Sequence, residues 1–184
     1  EGRGVTSRVP ASGSRLVLSD FGASPEYVAP GLRWTGFTDR VMGGVSDADL
    51  KLAEVAGRRC LRLTGRVTRD RGGGFIQMAL DLAPRGSTFD ASGYDGVELL
   101  VHGNDEDYNL HLRTPDCRWY DQSYRHSFHA PRRWHSVRVP WSAFAPNDVA
   151  APLAVNRLQR LAVLGWMREF VADVALASVA LYVG

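Results

Sequence analysis

Apolar residues recur at every second position through most of this chain, and each such run is short. The runs are Leu16 and Leu18; Leu61 and Leu63; Ile76, Met78 and Leu80; Val97, Leu99 and Val101; Tyr108, Leu110 and Leu112; and Val137 and Val139. Successive side chains of a strand point to opposite faces, so the pattern predicts short strands with one buried face each. Turn-forming clusters separate them, among them Gly72-Gly73-Gly74, Ser92-Gly93, Gly103-Asn104-Asp105 and Ala130-Pro131. Helical periodicity is nearly absent; 151–158 and 141–144 have room for a turn or two. Strands with one apolar face need a second sheet to cover it, which predicts an all-β, antiparallel two-sheet sandwich. Residues 1–14 mix glycine, serine, proline and arginine without period and read as a flexible leader, leaving 15–184 as a single β-sandwich domain.

Composition narrows the function. With 184 residues, 45% hydrophobic and 23% charged, the chain is long enough for one ordinary core and too apolar for disorder. The net charge is +2, from 22 basic against 20 acidic residues scattered along the chain, so no nucleic-acid footprint is expected. Lys51 is the one lysine, and the arginine skew spreads over the whole sequence. The longest apolar run, Val174 to Gly184, falls well short of the ~20 residues of a membrane helix, so no transmembrane segment is expected. The chain starts at Glu1, so an upstream segment is expected to have been removed; bacterial cytoplasm is favoured, or the mitochondrial matrix in a eukaryote.

Catalytic signatures are missing. There is no G-x-S-x-G elbow and no Walker A loop. His126 and His129 fall on opposite faces of one strand and, with His135, read as surface histidines rather than ligands; no metal and no cofactor is expected. Asp105, Glu106 and Asp107 read as a solvated acidic turn, while Asp20 and Asp173 are positions where sandwiches sometimes hold a structural ion. Cys60 and Cys117 read as thiols packed in strands, with a single disulfide open.

The densest unusual cluster runs from Trp34 through Asp39, Arg40, Met42, Gly43 and Gly44 to Ser46. Paired glycines after Asp-Arg read as a tight structural corner, with an anion nest as the other reading. This stretch, Gly72-Gly73-Gly74-Phe75, the run from Phe89 to Val97, Tyr108 to Arg113, and Trp134 to Phe144 resemble, in order, the complex I intermediate-associated protein family. The Asp39 to Ser46 piece is most similar to the bacterial-type branch. The resemblance implies a galactose-binding-like jelly roll related to carbohydrate-binding modules, and non-enzymatic assembly factors for respiratory complex I among mitochondrial members. Asp105 to Asp107 stands where the family has a glycine-containing turn.

In a jelly roll the outward residues of one sheet form the expected binding surface. If Tyr108, Leu110 and Leu112 face the core, then Asn109, His111 and Arg113 line the other face. The next strand offers either Arg125, Ser127 and His129 or Tyr124, His126 and Phe128, since a one-residue slip exchanges the sets. Trp119 and Tyr120, in a loop before it, read either as an anchor for a sugar or protein or as a plug closing the sandwich end. Trp34, Trp134, Trp141 and Trp166 read as core or rim packing. The expected function is a binding module engaging a protein partner during complex assembly, such as a respiratory complex I subunit. A carbohydrate-binding module is the alternative, and a small-substrate hydrolase a distant third.

Overall fold

The computed structural model describes residues 15–21, 34–38, 46–70, 74–166 and 168–184. Among these, twelve strands form: β1 (Leu16–Ser19), β2 (Trp34–Thr38), β3 (Asp47–Val55), β4 (Arg58–Val67), β5 (Phe75–Asp81), β6 (Gly96–His102), β7 (Glu106–Arg113), β8 (Ser123–Ala130), β9 (His135–Pro140), β10 (Ala145–Asn147), β11 (Arg160–Trp166) and β12 (Phe170–Tyr182). The first sheet has the order β3-β4-β12-β6-β9, and β1 pairs with β12. The thirteen residues of β12 pair with β4 over 170–176 and with β1 further on, near Leu181. The second sheet has the order β10-β8-β7-β11-β5-β2. All described pairings are antiparallel, giving the two-sheet sandwich that the alternating pattern predicts and the jelly roll that the resemblance implies.

The predicted inward residues meet between the sheets. Leu63, Val97, Leu99, Val101, Tyr108, Leu110, Leu112, Ile76 and Met78 are all fully buried in one cluster. Tyr108 carries a hydroxyl into that core, where it donates to Asn104 Oδ1 at 2.6 Å and accepts from the Asp173 amide at 2.9 Å. Both polar groups are thereby satisfied. The turn from β6 to β7 packs so closely that a Cβ on Gly103 would overlap Ala130, and Asp105 beyond it has φ of 63°. The two expected helical stretches are single 3-10 turns, Trp141–Ala143 and Val155–Arg157.

Two strands depart from the half-buried expectation. β5 and β11 are buried on both faces, because Ala79, Ala162 and Leu164 make a second apolar layer on the outer side under Phe75 and Trp166. Cys60 lies in β4, as expected, but Cys117 sits in the loop after β7; both are free thiols, in separate surroundings. Of the Trp34 to Ser46 motif, Trp34 donates its indole N–H to Ser19 Oγ at 3.2 Å, and buried Ser46 exchanges hydrogen bonds with the Thr68 backbone. Asp39, Arg40, Met42, Gly43 and Gly44 lie outside the described residues, as does the leader.

Candidate functional site

Tyr108, Leu110 and Leu112 of β7 fill the core, so Asn109, His111 and Arg113 must project from the outer face of the second sheet. Pairing places Asn109 opposite Ser127 and His111 opposite Arg125, which decides the β8 register: Arg125, Ser127 and His129 point outward, and Tyr124 and Phe128 inward. His126, half-buried on the inner side, packs 6.4 Å from Phe144. On the other flank of β7, Arg160, Ala162 and Leu164 of β11 stand opposite Arg113, His111 and Asn109.

His111 is not the exposed docking group expected of it. It is 7% exposed, with its ring edge-on to Trp166 at 5.2 Å between centroids. Its Nδ1 lies 3.5 Å from Ser123 Oγ, and its buried Nε2 has no hydrogen-bond partner among the described residues. Burial, reinforced by the charges of Arg125 and Arg113, lowers its pKa to about 3, so the ring is neutral near pH 7. Arg125 stacks its guanidinium 4.5 Å from the centre of Trp166 and donates to Ser123 Oγ at 2.7 Å and to the Asp121 carbonyl at 2.8 Å. Trp166 thus belongs to the outer face, a role that sequence reading missed. Its strand, from Leu161 to Trp166, is apolar in both phases, which erases the alternation that marks the outward side.

Arg113 is likewise reassigned. Its Nη1 donates to the carbonyls of Trp119 at 3.0 Å and Gln122 at 2.8 Å, and its Nη2 to that of Cys117 at 3.2 Å. The guanidinium therefore ties down the β7–β8 loop instead of standing free. Gln122 completes the fastening: its Oε1 accepts from the amides of Arg118 and Trp119, and its Nε2 donates to the Asp148 carbonyl. Asn147 donates to the Asp121 carbonyl from the other side. Cys117, buried in the core, is the loop's apolar anchor. Trp119 and Tyr120 are 68% and 78% exposed, which rules out the plug reading for both. Loop, Arg113 and Arg125 are directly bonded, so Asn109, His111, Arg113, Trp119, Tyr120 and Arg125 converge on one region.

The arrangement provides two open aromatic rings on a hydrogen-bonded loop, beside planar guanidinium groups. Such a surface suits stacking and hydrogen bonding to an uncharged or anionic ligand. Among the described residues no three of His, Cys, Asp or Glu gather as a metal-binding group. Asp173, considered above for an ion, is bonded to Arg62 through both oxygens.

The model of the family described as complex I intermediate-associated protein 30 (CIA30) matches residues 22–165. No curated protein matches the chain significantly. Among solved structures, the chain is similar to the family 11 carbohydrate-binding module of the cellulosomal cellulase Lic26A-Cel5E of Clostridium thermocellum. That match has a TM-score of 0.73 and 12% identity over 95% of this chain and 97% of that one. A family 11 module from the same organism, in complex with a β-1,3-1,4-mixed-linked tetrasaccharide, matches with a TM-score of 0.73 and 13% identity over 95% and 98% of the two chains. A family 30 carbohydrate-binding module matches with a TM-score of 0.55 and 16% identity, covering 74% of each chain. At such identities the likeness is one of fold.

Proposed function

The chain belongs to the complex I intermediate-associated protein 30 family, and on that premise we propose that it is a non-catalytic binding module whose ligand is a carbohydrate. The observation that carries this reading is the β7–β8 loop. Exposing two large aromatic rings costs apolar hydration, and the chain fastens their loop: Trp119 gives its amide to Gln122 and takes Arg113 on its carbonyl, while Arg125 and Asn147 donate to the Asp121 carbonyl beside Tyr120. A loop held open in this way loses little entropy when a sugar ring stacks on it. The fold shared with carbohydrate-binding modules supports the same reading.

Glycan-array screening followed by calorimetry tests it. Changing Trp119 and Tyr120 together to alanine is expected to weaken glycan binding by about 2 kcal/mol or more, roughly 30-fold, with an unchanged melting temperature. Full affinity in that variant would remove the loop from the site.

The family match favours a second reading, in which the same rings dock a protein during assembly of a larger complex, such as a respiratory complex I intermediate. Recovery of complex I subunits from a membrane fraction by the native chain but not by the double variant, with no glycan bound by either, would select it.

A further inference from the structure

Arg113 also lines a cavity of about 400 Å³. Its wall is built from the end of β5, the 83–87 segment and the start of β11. It brings together Arg85, Arg113 and Arg160 against one carboxylate, Asp81, with Ser87 alongside. Asp81 accepts from Arg160 Nε at 2.9 Å. Arg113 reaches only neutral carbonyl oxygens, and the next arginine along the face, Arg125, reaches a hydroxyl and a carbonyl. Neither has a carboxylate partner within ion-pair distance among the described residues, Asp121 acting on both only from further off. Half-buried cations satisfied by neutral acceptors keep an uncompensated charge, which a ligand anion would neutralise. Arg85 stands exposed at the rim.

We propose that this site takes an anionic saccharide, whose carboxylate or sulfate ester enters the cavity of Arg85, Arg113 and Arg160 while a sugar ring rests on Trp119 or Tyr120. The inference rests on the carbohydrate reading above and adds the ligand's charge. Arg113 links the two halves, since it lines the cavity and is bonded to the Trp119 carbonyl. Burial weakens the hold of Arg113 on its proton; the charge of Arg160 acts in the same direction, and Cys117 and Asp121 act against it.

Binding of the intact chain to oligogalacturonate, a sulfated galactan, a neutral mixed-linkage β-glucan and polyglutamate should be measured at low and high salt, alongside Arg85→Gln, Arg85→Glu and the Trp119/Tyr120 double alanine variant. Arg85 is exposed and its replacement leaves the fold intact, which a melting curve checks. At least one of the two anionic glycans should bind at least 10-fold more tightly than the neutral glucan, and the better one names carboxylate or sulfate as the group read. That preference should fall with salt, shrink in Arg85→Gln and vanish in Arg85→Glu. Neutral glucan binding as tightly as both anionic glycans, in a manner abolished by the double alanine variant and untouched at Arg85, would overturn the charge proposal and leave the carbohydrate reading standing. Polyglutamate binding as well as the better anionic glycan would overturn the proposal in favour of an acidic protein segment. Absence of binding to every glycan would overturn both readings.

Discussion

The outer faces of the two sheets carry similar residue types and arrange them differently. On the first sheet, a cavity of about 440 Å³ is lined by Glu54 and Asp173 on the acidic side and Arg62 and Arg132 on the basic side. Arg62 grips Asp173 through two hydrogen bonds of 2.9 and 2.6 Å, and Arg132 reaches Asp105 at 3.2 Å. Further along, Glu98 sits between Arg15 and Arg138, and Arg138 also stacks on Tyr182. On the second sheet, the cavity holds three arginines and one aspartate, Arg113 and Arg125 bond to neutral oxygens, and a buried histidine nitrogen has no described partner. On the first face Arg15, Arg62, Arg132 and Arg138 each reach a carboxylate. On the second, Arg113 and Arg125 have no carboxylate at ion-pair distance, and among the described residues the two exposed large aromatic rings border that face. Leftover capacity beside preorganised rings is what separates a binding surface from a merely polar one.

Acid should break the contrast most strongly, through His111. A group whose folded pKa lies below its unfolded value of ~6.5 leaves stability intact above that pH and removes it as pH falls toward the folded value, here about 3. By pH 4.5 this single group should cost about 2–3 kcal/mol, at roughly 1.4 kcal/mol per pH unit. Denaturant titrations at pH 7.5 and 4.5 on the native chain and on His111→Gln check it: the variant's pH dependence should be flatter by that amount. Equal slopes would mean that the imidazole titrates alike in the folded and the unfolded chain, so that it gains its charge in the fold as the pH falls.

The same elements show how far the sequence reaches. The alternation of Tyr108, Leu110 and Leu112 with Asn109, His111 and Arg113 was legible because β7 has one apolar and one polar side. The β8 register was not, since Tyr124, His126 and Phe128 contrast little in hydropathy with Arg125, Ser127 and His129 at a strand whose aromatic and imidazole groups are amphipathic. Only pairing with β7 decides it. Trp119 and Tyr120 could be singled out as a loop pair, but their exposure depends on a backbone held by Arg113 and Gln122, a tertiary fact that no residue pattern encodes. The basic cavity was invisible for a plainer reason: Arg85, Arg113 and Arg160 are far apart along the chain and meet only because β11 lies between β7 and β5.

On the first sheet, the test runs through stability. Arg62→Ala removes the two-bond grip on Asp173, whose side chain is 38% exposed, as is 37% of that of Arg62. Solvent screening keeps the expected loss near 1 kcal/mol, and glycan or partner binding should not change. Chemical denaturation together with calorimetry on the same variant measures both. A loss of binding without a loss of stability would move the functional surface to the first sheet.

The smallest effect is expected at Glu98, where the pairing of the first sheet's carboxylate with two arginines can be read as a pH dependence of its own. Burial of this side chain, 14% exposed, would by itself raise its pKa; hydrogen bonds from Arg138 and Arg15 and their charges outweigh that and hold it below the ordinary glutamate value. A depressed folded pKa contributes stability that is complete above the unfolded value, ~4.3, and is lost as pH falls through the folded one. Both arginines are about half exposed, so the contribution should be only about 0.5 kcal/mol and should shrink with salt. Glu98→Gln should remove this acid-dependent part below about pH 4.5, while His111→Gln acts over a window that opens two units higher. If Glu98→Gln instead flattens the curve between pH 5 and 6.5 as His111→Gln does, the first sheet is no better matched than the second, and the contrast between the faces does not hold.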